Sequence, residues 1–181
     1  MFFEVENSLL VIVDVQQKLM NAMNNAESCL AKVRLLGNAS NLMEVPVVVT
    51  EQYPKGLGPT VDSIREILPE NTPYIAKSSF SCCGSDEFNQ QILEADRKNI
   101  IICGVESHVC VLQTAIDLKN KGHNVILAAD AATSRNENDK MTALAFMRHA
   151  GISVLSTESI IFALLKDSKH PAFKAVSALL K

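Results

Sequence analysis

Six short runs rich in valine, isoleucine and leucine recur along the chain, and longer segments with helical periodicity separate them. Continuous apolar runs of this length are typical of strands buried on both faces, and their alternation with helices predicts a parallel sheet covered on both sides. The predicted strands are residues 9–13, 45–50, 72–77, 99–103, 124–129 and 153–156. The predicted helices are residues 26–44, 61–67, 85–96, 110–121, 136–150, 158–165 and 172–180. We therefore expect a doubly wound, three-layer α/β/α fold around a six-stranded parallel sheet.

Length and composition predict one domain over residues 1–181. An apolar fraction of 48% in 181 residues is enough for a substantial core. The formal net charge is −3, with acidic and basic residues interspersed, so the chain lacks the basic cluster that binds nucleic acid or an anionic membrane. A small-molecule substrate is the expected partner, with no nucleic acid and no membrane.

The N-terminal residues and the cysteines indicate a cytoplasmic protein. No apolar run approaches the roughly 20 residues of a membrane span, and residues 1–7 carry Glu4 and Glu6 instead of a basic leader. The five cysteines are an odd number without the paired short spacings of zinc sites, so we expect reduced thiols and no metal.

Cys110 follows the predicted strand 99–103 and begins the predicted helix 110–121. Unpaired N–H groups and the positive end of the helix dipole in a first helical turn favour thiolate over thiol. This position makes Cys110 a candidate nucleophile. The alternative is a plain apolar role, because free cysteine is among the most buried residue types.

Two charged residues favour the nucleophile. Asp14 closes the apolar run 9–13, and Lys77 closes the strand 72–77. An ionisable group at the end of a buried strand is costly unless it has a partner or a task. Ligands in such sheets bind beyond the carboxyl ends of the strands, near the point where the strand order reverses, so we expect Asp14 and Cys110 to meet there.

The residues around the three candidates form extended motifs. Residues 13–17 read Val-Asp-Val-Gln-Gln, residues 76–80 read Ala-Lys-Ser-Ser-Phe, and residues 104–111 read Gly-Val-Glu-Ser-His-Val-Cys-Val, followed by Thr114. Further motifs are residues 50–54, 130–131, 134–135 and 170–174. Together they resemble the isochorismatase-like cysteine hydrolase family over nearly the whole chain, and most of all its isochorismatase domain-containing members of unassigned substrate.

The resemblance implies a Rossmann-type strand order and a catalytic triad of Asp14, Lys77 and Cys110. In this triad Asp14 deprotonates Cys110 and Lys77 supports the charged pair. The thiolate attacks a small amide, carbamoyl or related carbonyl substrate to form a thioester, which water resolves. The resemblance also implies a non-proline cis peptide bond between Val105 and Glu106, the N–H groups of Glu106 and Cys110 as oxyanion donors, and a homo-oligomer.

Nicotinamidases of this family hold a metal through an Asp-x-His pair after the second strand and a further histidine. Residues 50–53 read Thr-Glu-Gln-Tyr here and contain no histidine, so we expect a metal-free enzyme without a cofactor.

Two loops, residues 52–60 and 78–85, and the residues before Cys110 are expected to shape the substrate pocket. The candidate lining residues are Gln52, Tyr53, Phe80, Val105, Ser107 and His108. Glu106 places a carboxylate beside the nucleophile, where it would raise the pKa of the thiol unless it turned outward. It is a candidate for selecting a cationic substrate group or for bridging to a neighbouring subunit.

Two other classes of function stay open on sequence alone. The chain could be an interaction module that keeps the hydrolase fold without turnover, since fold does not imply function. It could also be a thiol redox sensor that uses Cys110 with Cys82 or Cys83, in which case peroxide would produce sulfenic acid and a disulfide.

Overall fold

The structure, a computed structural model, describes residues 3–180. Within these residues six parallel strands form one sheet in the order β3-β2-β1-β4-β5-β6, which confirms the predicted α/β fold and its Rossmann-type order. The strands are β1 Ser8–Val13, β2 Val47–Gln52, β3 Tyr74–Lys77, β4 Asn99–Val105, β5 Asn124–Thr133 and β6 Ser153–Leu155. The helices are α1 Gln17–Met20, α2 Ala26–Leu42, α3 Pro54–Leu57, α4 Asp62–Arg65, α5 Asp86–Ala95, α6 Leu112–Asn120, α7 Glu137–His149, α8 Thr157–Leu165 and α9 Phe173–Leu179. None of these helices is long and apolar enough to cross a membrane.

The central strand explains why the sequence shows continuous apolar runs. β1 is buried along its whole length, and its side chains alternate between two hydrophobic cores. Leu10 and Ile12 pack in the core covered by α2, α8 and α9. Leu9 and Val11 pack in the core covered by α5, α6 and α7. Because both faces of the strand are covered, every position from Leu9 to Val13 carries an apolar side chain.

β5 extends to Thr133, beyond its predicted end at residue 129. The prediction stopped there because Asp130 interrupts the apolar pattern. In the structure Asp130 Oδ1 accepts hydrogen bonds from the Thr157 N–H at 2.7 Å and the Thr157 hydroxyl at 2.8 Å, at the start of α8. The register between β4 and β5 also shifts between Ile102 and Gly104. A polar residue inside a strand is therefore accommodated as the anchor of a helix N-terminus.

Gly104 brings β4 close to β1 at the carboxyl edge of the sheet. Its φ of 114° is left-handed, and a Cβ at this position would overlap the carbonyl oxygen of Val13. Glycine alone combines this backbone conformation with this close approach. Val13 pairs with Gly104, so Asp14 leaves the sheet beside the last residues of β4, at the point where the strand order reverses.

The buried thiols predict a loss of stability at alkaline pH. Burial raises the pKa of Cys29 in α2 to about 12 and that of Cys82 to about 11. A thiol in the unfolded chain ionises near ~8.5, so the folded state holds these protons more tightly. The resulting stabilisation is complete below this pH and is lost as the pH rises toward the folded pKa. In that interval each such thiol lowers the free energy of unfolding by about 1.4 kcal/mol per pH unit.

Urea unfolding of the wild type and of Cys29→Ala at pH 8 and pH 10 measures the contribution of one thiol. We expect the variant to lose less stability between the two pH values, whatever its stability at pH 8. Equal losses in both proteins would contradict the assignment of alkaline sensitivity to Cys29.

Candidate active site

Asp14 and Lys77 form a fully buried ion pair. Lys77 Nζ lies 2.7 Å from Asp14 Oδ2, and neither side chain is exposed to solvent. Asp14 follows β1 with a left-handed φ of 53°, and Lys77 is the last residue of β3. Because β2 lies between these two strands, the lysine side chain crosses the carboxyl end of β2 to reach the carboxylate. The structure thus brings together two residues that are 63 positions apart in the sequence.

Three other oxygens lie within hydrogen-bond distance of Lys77 Nζ and share its three N–H groups with Asp14. These are Gln52 Oε1 at 2.7 Å and the carbonyl oxygens of Ser79 and Phe80, both at 3.2 Å. Burial lowers the pKa of Lys77, but the charge of Asp14, the neighbouring thiols and the hydrogen bond to Asp14 outweigh it and raise the pKa. The side chain therefore remains a fixed ammonium group at neutral pH.

Thr50 supports the other oxygen of the carboxylate, and the sequence analysis missed it. Its hydroxyl donates to Asp14 Oδ1 at 2.8 Å, and its Oγ1 lies 3.6 Å from Cys82 Sγ. Each oxygen of Asp14 thus accepts one strong hydrogen bond, from Thr50 or from Lys77. The available signals were its place in the motif 50–54 and a hydroxyl side chain at the end of an apolar strand, and neither singles out Thr50 as a site residue.

Cys110 lies in a π-helical turn, Ser107–Val111, that leads directly into α6; we call it the Cys110 turn. Its side chain is buried, with 7% exposure, and faces Asp14. Burial and then the charge of the Asp14 carboxylate raise the pKa of Cys110 to about 12, and the ammonium of Lys77 only partly offsets them. The expectation that the first helical turn favours thiolate over thiol at Cys110 is therefore wrong, because desolvation and the adjacent carboxylate outweigh the helical turn.

The Val105–Glu106 peptide bond is cis, at the position that the family resemblance implied. The Glu106 carbonyl oxygen accepts from the N–H groups of Val109 and Val111 at 3.0 and 3.2 Å. Within residues 3–180 the Glu106 N–H itself donates to no protein acceptor.

Two residues after β5 hold the segment that carries Cys110. Glu106 Oε2 accepts from Arg135 Nε at 3.0 Å and from the Arg135 N–H at 3.2 Å. His108 Nδ1 lies 2.9 Å from Ser134 Oγ. The Glu106 carboxylate is thus paired within the chain, and the His108 ring is engaged with Ser134.

Residues 8–159 match the family model of the isochorismatase domain. The chain belongs to the isochorismatase family. Isochorismatase family protein 1A of Dictyostelium discoideum is 38% identical over 175 residues, which cover 95% of this chain and 85% of that protein. The solved structure of the MAR1 ribonuclease from Caenorhabditis elegans superimposes with a TM-score of 0.95 at 37% identity, covering 99% of this chain and 92% of that one. The YcaC gene product of Escherichia coli, described as an octameric hydrolase of unknown specificity, shares the fold with a TM-score of 0.93 at 22% identity, over 98% and 90% of the two chains.

The residues at the end of β2 do not fit the metal site of the nicotinamidases in the isochorismatase family. Glu51 Oε1 accepts from the N–H and the hydroxyl of Thr60 at 2.7 and 2.8 Å, and Gln52 is bonded to Lys77. In the part of the chain that the structure describes, no group of three or more His, Cys, Asp or Glu side chains is placed to hold a metal ion. The donor groups at this position therefore serve the protein itself.

Four of the candidate lining residues of this isochorismatase-family site fall into two groups. Tyr53 and Phe80 are more than half exposed, at 60% and 56%, beside the segments that contact Lys77. Val105 and Ser107 are completely buried, so their side chains do not line an open pocket. Val105 packs in the hydrophobic core as the last residue of β4.

The segment after β2 is held in place by Gln16, a second residue that the sequence analysis missed. The Gln16 side chain is fully buried. It donates to the carbonyl oxygens of Gln52 and Gly58 and accepts from the Gln52 N–H at 2.8 Å. The predicted loop therefore forms a fixed wall that contains the short helix α3.

Proposed function

We propose that this isochorismatase-family protein is a cysteine hydrolase that cleaves the C–N bond of a small amide or carbamoyl substrate, without a metal or a cofactor. One observation carries the proposal: a buried carboxylate, Asp14, is held by Lys77 and Thr50 against the thiol of Cys110. A thiol, a base and a fixed positive charge are what nucleophilic attack on a carbonyl requires.

Attack on the substrate is coupled to proton transfer. The thiol of Cys110 is protonated at neutral pH because its pKa is about 12. Its proton passes to Asp14 while the sulfur bonds to the carbonyl carbon, so the thiolate forms only when a substrate is present to consume it. Lys77 keeps its positive charge beside Asp14 and limits the change in local charge during this step.

The tetrahedral intermediate carries its negative charge on the former carbonyl oxygen. The N–H groups of Glu106 and Cys110 are the proposed donors to this oxygen, and the Glu106 N–H has no competing protein acceptor within residues 3–180. Preorganised backbone donors of this kind typically contribute ~10²–10³ in rate each.

Collapse of the intermediate expels the amine, which takes its proton from Asp14. This leaves a thioester on Cys110 and a carboxylate ready to act again. Asp14 then removes a proton from water, the resulting hydroxide attacks the thioester, and the thiol is regenerated as Asp14 returns its proton.

A panel of small primary amides and carbamoyl compounds, scored by ammonia release, tests this function. We expect at least one member to be hydrolysed by the wild type and not measurably by Cys110→Ala, with both proteins equally folded by circular dichroism. Hydrolysis that continues undiminished in Cys110→Ala would overturn the mechanism.

RNA is the second candidate substrate, because the C. elegans relative is described as a ribonuclease. The charges of this chain favour an amide substrate over RNA. Its net charge is −3, and the Lys77 ammonium is buried, where it cannot contact a phosphate backbone. A labelled single-stranded RNA incubated with the wild type and Cys110→Ala separates the two functions. RNA cleavage that copurifies with the protein and is lost in Cys110→Ala would show that the substrate is a phosphodiester and not an amide.

The homo-oligomer implied by the family stays a prediction. Met141 and Phe146 on α7 are more than half exposed, at 52% and 55%, and are the candidate contact residues. Sedimentation equilibrium of the wild type and of Phe146→Ser checks it: we expect an oligomer that the substitution weakens, and a monomeric wild type would contradict it.

A further inference from the structure

The two residues after β5 form hydrogen bonds with the Cys110 turn and with the residue before it. Arg135 holds the Glu106 carboxylate through both its backbone N–H and its side-chain Nε, at 3.2 and 3.0 Å. Ser134 lies 2.9 Å from His108 through its hydroxyl. Glu106 and His108 flank Ser107, so two adjacent residues of one loop fix both sides of the peptide segment that leads to Cys110. We call Ser134 and Arg135 the β5 clamp.

The β5 clamp is itself anchored. The Ser134 carbonyl oxygen accepts from the Asn24 N–H at 3.0 Å, and the Thr133 hydroxyl donates to the Asn24 carbonyl oxygen at 2.6 Å. Val105 and Thr133 are also paired in the sheet immediately before the clamp begins. The β5 clamp therefore connects residues 106–108 to a backbone that is fixed by Asn24 and by the pairing of β4 with β5.

The charges of the Glu106–Arg135 pair explain why a carboxylate is tolerated here. The Glu106 side chain is 13% exposed, whereas that of Arg135 is 63% exposed, so the acid lies inward and the base covers it. An unpaired carboxylate at this place would repel the negative charge that develops during attack on a carbonyl. One oxygen, Oε2, accepts both hydrogen bonds, which fixes the direction of the carboxylate as well as its charge.

We propose that Arg135, with Ser134, is a positioning residue. It holds the Glu106 N–H in place to stabilise the substrate oxyanion that forms when Cys110 attacks the carbonyl carbon. The inference rests on the proposed function, because it assumes that Cys110 attacks a carbonyl. Arg135 touches no reacting atom in this account and acts only through Glu106. Its loss should therefore impair steps that place negative charge on a carbonyl oxygen and spare reactions of the thiol that do not.

Two chemical probes separate these cases without knowledge of the natural substrate. Acetaldehyde adds to a thiol to give a hemithioacetal: the S–C bond forms, the carbonyl π bond breaks, and the proton leaves the sulfur for Asp14 before it reaches the new oxygen. Iodoacetamide alkylates the same sulfur by displacement of iodide, and no oxyanion forms. The first reaction uses the oxyanion donors and the second does not.

The experiment measures hemithioacetal formation with ¹³C-labelled acetaldehyde by NMR, and Cys110 alkylation by mass spectrometry, in wild type, Arg135→Met and Ser134→Ala. We expect Arg135→Met to lower the rate of hemithioacetal formation about tenfold and to leave the rate of alkylation within about threefold. The Glu106 N–H is displaced in this variant, whereas the thiol is not. Ser134→Ala should show a smaller loss of the same kind. Lys166→Gln, which removes an exposed ion pair to Glu4 at 3.1 Å, is the matched control and should change neither.

A double variant, Glu106→Gln with Arg135→Met, distinguishes positioning from simple charge balance. If Arg135 positions the peptide, the double variant keeps most of the aldehyde defect; full restoration would show that the arginine only neutralises Glu106. Unchanged hemithioacetal formation in Arg135→Met, or equal losses in both reactions, would also overturn the inference. Absence of a hemithioacetal in the wild type would instead contradict the proposed function.

Discussion

Asp14→Asn should lower kcat/KM for the amide substrate by about three orders of magnitude, within the ~10²–10⁴ range of a lost general base. The physical reason is the state of the nucleophile. The pKa of Cys110 is raised to about 12, so the thiol is protonated at neutral pH and needs a base at the moment of attack. Asparagine fills the same volume and cannot accept this proton.

The same substitution should make Cys110 more reactive toward iodoacetamide at pH 8. After burial, the charge of Asp14 is the largest cause of the raised pKa, and Lys77 acts in the opposite direction. Removing the carboxylate leaves the ammonium group beside the thiol, so the pKa falls and the thiolate fraction grows. Alkylation up and turnover down, measured on one folded sample, is the expected result. Turnover close to that of the wild type would show that Asp14 is not the base.

Lys77→Met should destabilise the fold by about 3–5 kcal/mol, the usual cost of breaking one partner out of a buried ion pair. Asp14 is fully buried and would be left with Thr50 as its remaining strong donor in the described part of the chain. The loss should be smaller at pH 5 than at pH 8, because a buried carboxyl without a counter-charge can avoid the penalty by taking up a proton. Urea unfolding at the two pH values measures both effects.

The double variant Asp14→Asn with Lys77→Met is the control for this stability prediction. Without either charge, no uncompensated ion remains, so the double variant should be more stable than Lys77→Met alone. If Lys77→Met unfolds at the same urea concentration as the wild type at both pH values, the ion pair does not stabilise the fold.

The sheet could be predicted from the sequence because each buried strand is marked by its composition. β1 and β4 are apolar at nearly every position, and both faces of each strand are covered in the structure. The exact ends of the strands could not be predicted. β4 continues through Gly104, and β5 continues through Asp130, because long-range packing and a helix cap outweigh the local preference of those two residues.

The meeting of Asp14, Lys77 and Cys110 at one edge could also be predicted, since parallel strands carry their last residues to the same side of the sheet. The supporting residues could not. Thr50 and Gln16 lie inside the motifs 50–54 and 13–17, but their hydrogen-bond partners are 36 positions away, so these motifs do not reveal which groups the two side chains bind. The raised pKa of Cys110 depends on its burial and on its distance from Asp14, which the position of a helix start does not reveal.

The most direct test of a covalent mechanism is to trap the acyl group on the protein. The wild type is mixed with p-nitrophenyl acetate near neutral pH, quenched in acid within seconds, and mapped by peptide mass spectrometry. We expect acetylation of Cys110 ahead of the more accessible thiol of Cys83, and a Cys110 label that persists in Asp14→Asn, because this variant has more thiolate and lacks the base that activates water against the thioester. If Cys110 stays unmodified while Cys83 is acetylated in both proteins, Cys110 is not the nucleophile.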